Sequence, residues 1–151
     1  MDTTCGPKGV NCRWLSLAVS LAACLLLSSC GSSAKNIVLA KAAVEEFHSQ
    51  LDTEEYGAIY DSTDRKFQNV TSQSDFTKLL TAVHQKLGTV QHTNTRNVGV
   101  AWYTGQGATV TLVYDTTFSA GTGTEQFVWH VNNAQATLYG YHIASNDLIT
   151  K

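Results

Sequence analysis

Apolar residues recur every three or four positions between residues 37 and 51. This spacing places them along one side of an α-helix, because an α-helix completes a turn every 3.6 residues. The positions between them carry mostly polar or small side chains, as a solvated surface requires. The apolar positions are Ile37, Ala40, Val44, Phe47 and Leu51. The pattern therefore predicts an amphipathic helix with one buried face.

A second, shorter helix is predicted over residues 54–60. Asp52 or Thr53 is positioned to cap its N-terminus, since short polar side chains accept hydrogen bonds from the first free amides of a helix. Residues 61–70 are polar and do not decide between helix and loop. We expect Phe67 in that segment to reach back to the core.

A third helix is predicted to begin after Ser72 and to end at Gly88. Ser72 and Asp75 have the spacing of a capping-box variant, and glycine commonly ends a helix because it adopts left-handed backbone angles. The apolar positions of this helix are Phe76, Leu79, Leu80, Val83 and Leu87.

After Gly88 the apolar spacing changes to every second residue, which is the spacing of β-strands. Three strands are marked by Val98, Val100 and Trp102, by Val110, Leu112 and Tyr114, and by Phe127, Trp129 and Val131. A fourth covers residues 138–143, and turns are predicted at 105–107, 121–123 and 132–133. Helices followed by hairpin-linked strands predict an α+β fold, with N-terminal helices on one face of a curved four-stranded antiparallel meander.

Composition limits the class of protein. The chain has 151 residues, of which 43% are apolar, enough for one domain with a packed core. The net charge of −2 offers no basic surface for a phosphate backbone, so nucleic acid is not an expected partner. All four cysteines, Cys5, Cys12, Cys24 and Cys30, lie within the first 30 residues. The rest of the chain therefore has no thiol for a disulfide or a metal site.

The N-terminal 29 residues have the pattern of a targeting segment. Residues 1–13 are polar and include Lys8 and Arg13, and residues 14–27 are uncharged. These 14 residues fall short of the roughly 20 that a transmembrane helix needs, but they suit a signal peptide. An uncleaved anchor that reaches Cys30 is the alternative.

Residues Leu27, Ser28, Ser29 and Cys30 resemble the lipobox of bacterial lipoproteins. The resemblance implies cleavage between Ser29 and Cys30 and attachment of diacylglycerol and palmitate-type acyl chains to Cys30. Cys24 is the last residue of a second, less favourable lipobox. A lipid anchor implies location at the bacterial cell membrane or outer membrane, with the domain outside the cytoplasm. The chain is then predicted to consist of a signal peptide over residues 1–29, a tether over residues 30–35 and one domain over residues 36–151.

Five stretches of the body resemble known proteins: "EEFHSQLDTEEYGAIYDSTDRKF", "SDFTKLLTAVHQKLGTVQ", "VTLVYDTTFS", "EQFVWHV" and "ATLYGYHIASN". With these stretches the chain resembles a group of small exported bacterial proteins, the uncharacterised-domain family 4019. The matching positions are Leu51, Asp52, Tyr56, Phe76, Leu87, Gly88, Gly140, Tyr141 and Ile143. The resemblance implies a fold similar to the cystatin-like proteins and the nuclear transport factor 2 relatives, in which a curved sheet wraps a helix. Some of those relatives are isomerases or hydratases with a pocket, but no catalytic residue can be carried over.

No local motif sets up a metal, cofactor or catalytic site. The five histidines fall singly on different predicted elements, without the spacing of a chelate. Asp115 is the carboxylate of most interest, because it stands among neutral residues in a predicted strand and burial there would raise its pKa. The alternative is that Asp115 faces solvent.

The aromatic residues are numerous enough to line an apolar pocket. The candidate pocket residues are Tyr60, Trp102, Tyr114, Asp115 and Trp129. The sequence favours a lipid-anchored, non-catalytic binding module whose partner is an envelope protein or a small apolar ligand. The alternatives are a pocket enzyme of the isomerase or dehydratase type, with Asp115 or a histidine as base, and a structural envelope component. A buried, isolated carboxylate beside an open cone would favour the enzyme, whereas a filled core with an exposed aromatic patch would favour protein binding.

Overall fold

The computed structural model describes residues 30–103 and 107–150, with side chains from Ser32 onward. These two ranges contain five helices and four strands. The helices are α1 (Cys30–Asp52), α2 (Tyr56–Asp61), α3 (Arg65–Val70), α4 (Gln73–Leu87) and α5 (Asn146–Thr150). The strands are β1 (Val90–Tyr103), β2 (Gly107–Phe118), β3 (Gly121–Asn132) and β4 (Gln135–Ala144). The residues from Ala34 onward form one compact unit.

The four strands form one antiparallel sheet in the order β1-β2-β3-β4. Consecutive strands are therefore neighbours, which confirms the predicted meander and the α+β fold class. Burial alternates along β2, where Val110, Leu112 and Tyr114 are buried and the residues between them are partly exposed. One face of the sheet is thus the inner face, as the two-residue apolar period predicts.

The core lies between the inner face of the sheet and the helices. Helix α1 contributes the predicted apolar side of the helix, with Phe47 packing edge-on against Phe127 of β3 at a ring-centroid distance of 5.1 Å. Ile37 of that set is only partly buried. The fully buried large side chains include Leu51, Ile59, Phe76, Leu80, Leu87, Leu112, Phe127 and Leu138. The core is thus filled by side chains from both layers.

Helix α1 begins earlier than predicted. Its helical backbone starts at Cys30 and runs without a break to Asp52. Residues 30–35, which the sequence analysis assigned to a tether, are therefore helical. Ala34 and Ala40 favour helix, and no proline or glycine follows Gly31 within α1 to interrupt it.

The predicted cap of the second helix is wrong. Helix α2 starts at Tyr56, and its N-cap position, Glu55, provides no side-chain cap. Thr53 directly follows α1, and its hydroxyl donates to the Ser49 carbonyl at the end of that helix. Asp52 accepts from the amide of Val90 instead.

The segment that sequence left undecided, residues 61–70, is partly helical. Asp64 caps helix α3 by accepting from the Lys66 amide at 2.7 Å, and Phe67 is buried as predicted. Helix α4 confirms the predicted Ser72 cap and the stop at Gly88, but Leu79 is 37% exposed and lies outside the core.

The turns differ from prediction by one to three residues. The second turn is Ser119-Ala120, because the Ala120 amide donates to the Leu87 carbonyl and fixes the turn against the end of α4. The third is Asn133-Ala134, and both residues have positive φ, as a tight hairpin turn requires. The first predicted turn, at 105–107, lies mostly outside the described residues.

Candidate functional site

A charged residue occupies an inner-face position of β3. Glu125 precedes Phe127 and Trp129 at the two-residue spacing of that face, and it is 0% exposed. Fully burying a carboxylate costs several kcal/mol unless hydrogen bonds replace its hydration shell. The Glu125 carboxylate therefore requires hydrogen-bond donors around it.

Three side chains from three different elements surround the Glu125 carboxylate. The hydroxyl of Thr116 on β2 donates to Oε2 at 2.5 Å, and Nε2 of His48 on α1 lies 2.9 Å from the same oxygen. The hydroxyl of Tyr141 on β4 donates to Oε1 at 2.8 Å. We call these four residues the glutamate network. Because a carboxylate only accepts hydrogen bonds, the contact assigns the proton to Nε2 of His48.

Aromatic rings enclose the glutamate network. The ring of Phe127 lies 5.6 Å from the His48 ring and 5.1 Å from the Tyr141 ring. Phe47 lies 4.9 Å from Tyr141 on the other side. Such surroundings exclude water, so the three donors provide the stabilisation that solvent would otherwise supply.

Tyr141 shows the electrostatic effect of this arrangement. Burial raises the pKa of its hydroxyl well above the ordinary value of 10.0, and the neighbouring Glu125 carboxylate raises that pKa further. Tyr141 thus remains a protonated donor to Glu125 throughout the neutral range. Burial also raises the pKa values of Tyr56 and Tyr114.

Tyr141→Phe is expected to lower the free energy of unfolding at pH 7 by about 2 kcal/mol, because one donor to a buried carboxylate is lost. It should also change the alkaline response. The unfolded chain loses the Tyr141 proton near pH 10, before the folded chain does, so the stability is complete below that pH and falls above it. This loss reaches about 1.4 kcal/mol per pH unit.

Urea unfolding between pH 8 and pH 11 measures both effects. The wild-type protein should lose stability more steeply above pH 10 than the Tyr141→Phe variant, which retains the contributions of Tyr56 and Tyr114. Equal slopes for the two proteins would show that Tyr141 is not held protonated by this site.

The glutamate network reaches the surface at His48, and Tyr141 is also partly exposed. The His48 side chain is 9% exposed and forms part of a groove of about 380 Å³ between α1 and the start of β1. We call this the α1–β1 groove. Its walls are formed by Glu45, His48, Ser49, Asp52, Val90, Gln91, His92 and Thr93. A buried carboxylate is therefore connected to an accessible surface by one imidazole ring.

A second concave surface lies on the outer face of the sheet. This outer cleft has a volume of about 420 Å³ and is lined by Lys66, Tyr103, Thr109, Val128, His130 and Tyr139. The ring of His130 stacks on Tyr139 at 4.4 Å, and its Nδ1 lies 3.1 Å from the Asp64 carboxylate. Burial alone would raise the pKa of Asp64, but hydrogen bonds from the Lys66 amide and from His130 hold it below its ordinary value.

The structure does not bring the predicted pocket residues together. Tyr114 and Trp129 are buried in the core, and Tyr60 is half-buried with its hydroxyl donating to the Thr71 carbonyl at 2.9 Å. Trp102 is 53% exposed near the end of β1. Asp115 faces solvent.

Asp115 is therefore not the desolvated base considered in the sequence analysis. It faces solvent, which was the alternative. Asp115 accepts a hydrogen bond from Thr124 at 2.9 Å and pairs with Arg96 at 3.4 Å. The reason lies in the strand period, because Tyr114 beside it points inward and Asp115 must then point outward.

Sequence reasoning missed the glutamate network. The signal was present, because Glu125 falls on the inward positions of β3 and Thr116 on those of β2. A charged side chain at an inward position requires hydrogen-bond partners on the elements that pack against it. His48 was read as one of five isolated histidines, since its partner is 77 residues away in sequence.

Part of the predicted site lies outside the described residues. This applies to the signal peptide over 1–29, including the cleavage position at Ser29, and to the side chain of Cys30. Within the described ranges, no helix combines the length and hydropathy needed to cross a bilayer. The same ranges contain no group of three or more histidine, cysteine, aspartate or glutamate residues placed to hold a metal ion.

A comparison with protein families identifies the domain. The model of the family described as "Protein of unknown function (DUF4019)" matches residues 43–141, about two thirds of the chain. The chain belongs to this family. The match starts within α1, ends in β4 and includes all four members of the glutamate network. No curated protein shows significant similarity to the chain.

Proposed function

We propose that this DUF4019 protein is a lipid-anchored module of the bacterial envelope that binds another envelope protein. Its anchor is the lipid-modified Cys30, and its domain faces away from the cytoplasm at the cell membrane or the outer membrane. The anchor part of the proposal is supported by the charge pattern of residues 1–27 and by the lipobox at residues 27–30.

The protein-binding part of the proposal is supported by a filled core combined with exposed aromatic side chains. In the described part of the chain, the space between α1 and the sheet is largely occupied by Phe47, Phe127 and their neighbours, which leaves a cavity of about 120 Å³ beside Phe47 and Trp129. By contrast, Trp102 is 53% exposed, Tyr103 56% and Tyr139 37%. Tyrosine and tryptophan supply much of the binding energy at protein interfaces.

The outer cleft suits an apolar side chain of a partner protein. Its lining includes the aromatic rings of Tyr103 and Tyr139, the aliphatic side chain of Val128, and the polar groups of Lys66 and His130. Interfaces commonly combine such a pocket for one buried anchor with a polar rim. Trp102 lies on the opposite face of β1, since it pairs with the buried Ala108, and extends the aromatic surface around the β1 edge.

Other functions have less support from this geometry. An isomerase or dehydratase needs a desolvated base that faces a substrate cavity. Asp115 lines an open cleft of about 430 Å³, but its side chain is exposed and paired with Arg96. A small apolar ligand in the outer cleft is a narrower form of the same binding proposal. A structural component without a partner would not need three exposed aromatic side chains on one end of the sheet.

In-cell photocrosslinking tests the proposal. A benzoylphenylalanine at position 103 or 139 is expected to give one discrete protein adduct, and the same residue at Lys78, which is exposed on α4, should give none. In a chain with the crosslinker at position 103, Tyr139→Ser should reduce the yield at least several-fold, because one wall of the cleft is lost. No adduct, or equal adducts from all three positions, would contradict protein binding here. An adduct to a small molecule alone would replace the protein partner by an apolar ligand.

A further inference from the structure

The outer edge of strand β1 has no partner in the described part of the chain. β1 pairs with β2 alone, and beyond Val90 no backbone group of β1 forms a hydrogen bond with any other element there. Alternate residues of a strand turn their N–H and C=O groups towards opposite edges, so β1 presents a row of unpaired groups to the outside. At 14 residues it is long, since strands usually have about five or six. This edge is therefore able to accept another strand.

The opposite edge of the sheet is protected. Thr63 forms an isolated β-bridge with Leu138 of β4, and the Asp64 amide donates to the Leu138 carbonyl at 2.8 Å. The segment between α2 and α3 thus occupies the edge of β4 at this point and prevents another strand from pairing there. Within the described ranges, no segment does the same for β1.

The pairing of β1 with β2 is irregular in the first half of β1 and regular in the second. The register shifts between Val90 and His92 and again between Thr95 and Asn97. Shifts of this kind twist a strand and hinder the addition of another strand to its edge. From Asn97 to Tyr103 the register is regular and no residue is charged. We call this second segment the open edge, because it lacks both bulges and charges.

The open edge exposes apolar side chains on the inner face of the sheet. Val98, Val100 and Trp102 lie opposite buried residues of β2, so they share its inner face. Val98 is 37% exposed and Trp102 53%. No residue of β1 is buried, whereas almost every second residue of β2 is. A further strand beside β1 would cover these side chains from the side that β2 leaves open.

From these observations we infer that the open edge pairs antiparallel with the open edge of a second copy of this chain. A two-fold axis at Val100 sets Val100 opposite its own counterpart and Val98 opposite Trp102 of the second copy. All seven residues of the open edge are then paired, and pairs of β-branched and aromatic side chains across two strands are favourable. The pairing extends the sheet sideways and leaves its outer face open, so it does not depend on the partner proposed for the outer cleft.

The charges of β1 favour a second copy as the occupant. Arg96 is the only lysine, arginine, aspartate or glutamate in β1, and its guanidinium lies 3.4 Å from the Asp115 carboxylate of the same chain. In the proposed register the two Arg96 residues lie about 27 Å apart, since each is four residues from the axis at about 3.4 Å per residue. The two open edges are uncharged, so no like charges meet and no charge loses its hydration.

Cysteine crosslinking of the full-length chain in isolated membranes tests the register. Val100→Cys is expected to form an intermolecular disulfide on mild oxidation, because opposed residues of antiparallel strands have Cα atoms about 4.5–5.5 Å apart, within reach of a disulfide. Val98→Cys is the matched control, since Val98 shares the face and is the more exposed of the two, but its two copies would lie about 14 Å apart. The crosslinked fraction should be at least several-fold higher for Val100→Cys, after subtraction of the wild-type background from the native cysteines.

Sedimentation equilibrium of the full-length protein in detergent measures the association itself. The wild-type chain is expected to show a reversible equilibrium between monomer and dimer. Val100→Lys should weaken dimerisation about tenfold or more, because it sets two like charges opposite each other, and Val70→Lys, at an 83% exposed position of α3, less than about twofold. A wild-type chain that stays monomeric at every concentration, stronger crosslinking of Val98→Cys than of Val100→Cys, or a Val100→Cys disulfide to a different protein would overturn the inference.

Discussion

Glu125→Ala is expected to lower the free energy of unfolding by about 3–5 kcal/mol. The substitution leaves Nε2 of His48 and the hydroxyls of Thr116 and Tyr141 without their shared acceptor in an aromatic environment. It also leaves a cavity where a fully buried side chain was. Urea unfolding followed by tryptophan fluorescence measures the loss, since Trp129 reports on the same core.

Glu46→Ala is the matched control, because Glu46 is exposed on α1 and its one bond is to Gln50. It should cost less than about 1 kcal/mol. Glu125→Gln keeps the side-chain volume and one accepting oxygen, so it should lie between the two and provides a measurable variant if Glu125→Ala does not fold. A loss below about 1 kcal/mol for both Glu125 variants would show that the glutamate network does not stabilise the fold.

The regular elements of this fold could be predicted because each has a strong apolar period. The period of α1 identifies Val44, Phe47 and Leu51 as buried, and the alternation in β2 identifies Leu112 and Tyr114. Helix caps and turns were less predictable, since contacts between distant elements decide them. Asp52 is an example, because its carboxylate bonds to the Val90 amide rather than to the next helix.

The candidate sites were less predictable than the fold because they depend on which strand positions face each other. The strand period alone places Asp115 outward and Glu125 inward, but it does not show that His48 of α1 lies above Glu125. Exposure at an element's end is also set by tertiary packing. Trp102 has the spacing of an inner-face residue and pairs with the buried Ala108, yet it remains 53% exposed near the end of β1.

Cys30→Ala is expected to abolish incorporation of an alkyne-tagged fatty acid into the protein. The variant protein should either leave the membrane fraction or keep its signal peptide uncleaved. The thiol of Cys30 is the proposed attachment atom, and two or three acyl chains are needed because a single chain holds a protein only marginally at a bilayer. The effect should be complete rather than graded, since no other position would carry lipid.

Cys24→Ala is the control for this prediction. Cys24 ends the second possible box, and its substitution should leave both labelling and membrane association unchanged. Labelling that persists in Cys30→Ala but is lost in Cys24→Ala would move the anchor to Cys24. Labelling that persists in both variants would contradict a lipobox anchor.

The mass of the N-terminal peptide of the mature protein tests the central claim most directly. The protein is extracted from membranes with detergent and digested, and its first peptide is analysed by mass spectrometry. A lipid-anchored envelope module is expected to begin at Cys30 and to carry a diacylglycerol on the thiol. A mature chain that retains residues 1–29, or one that begins elsewhere without lipid, would contradict the claim.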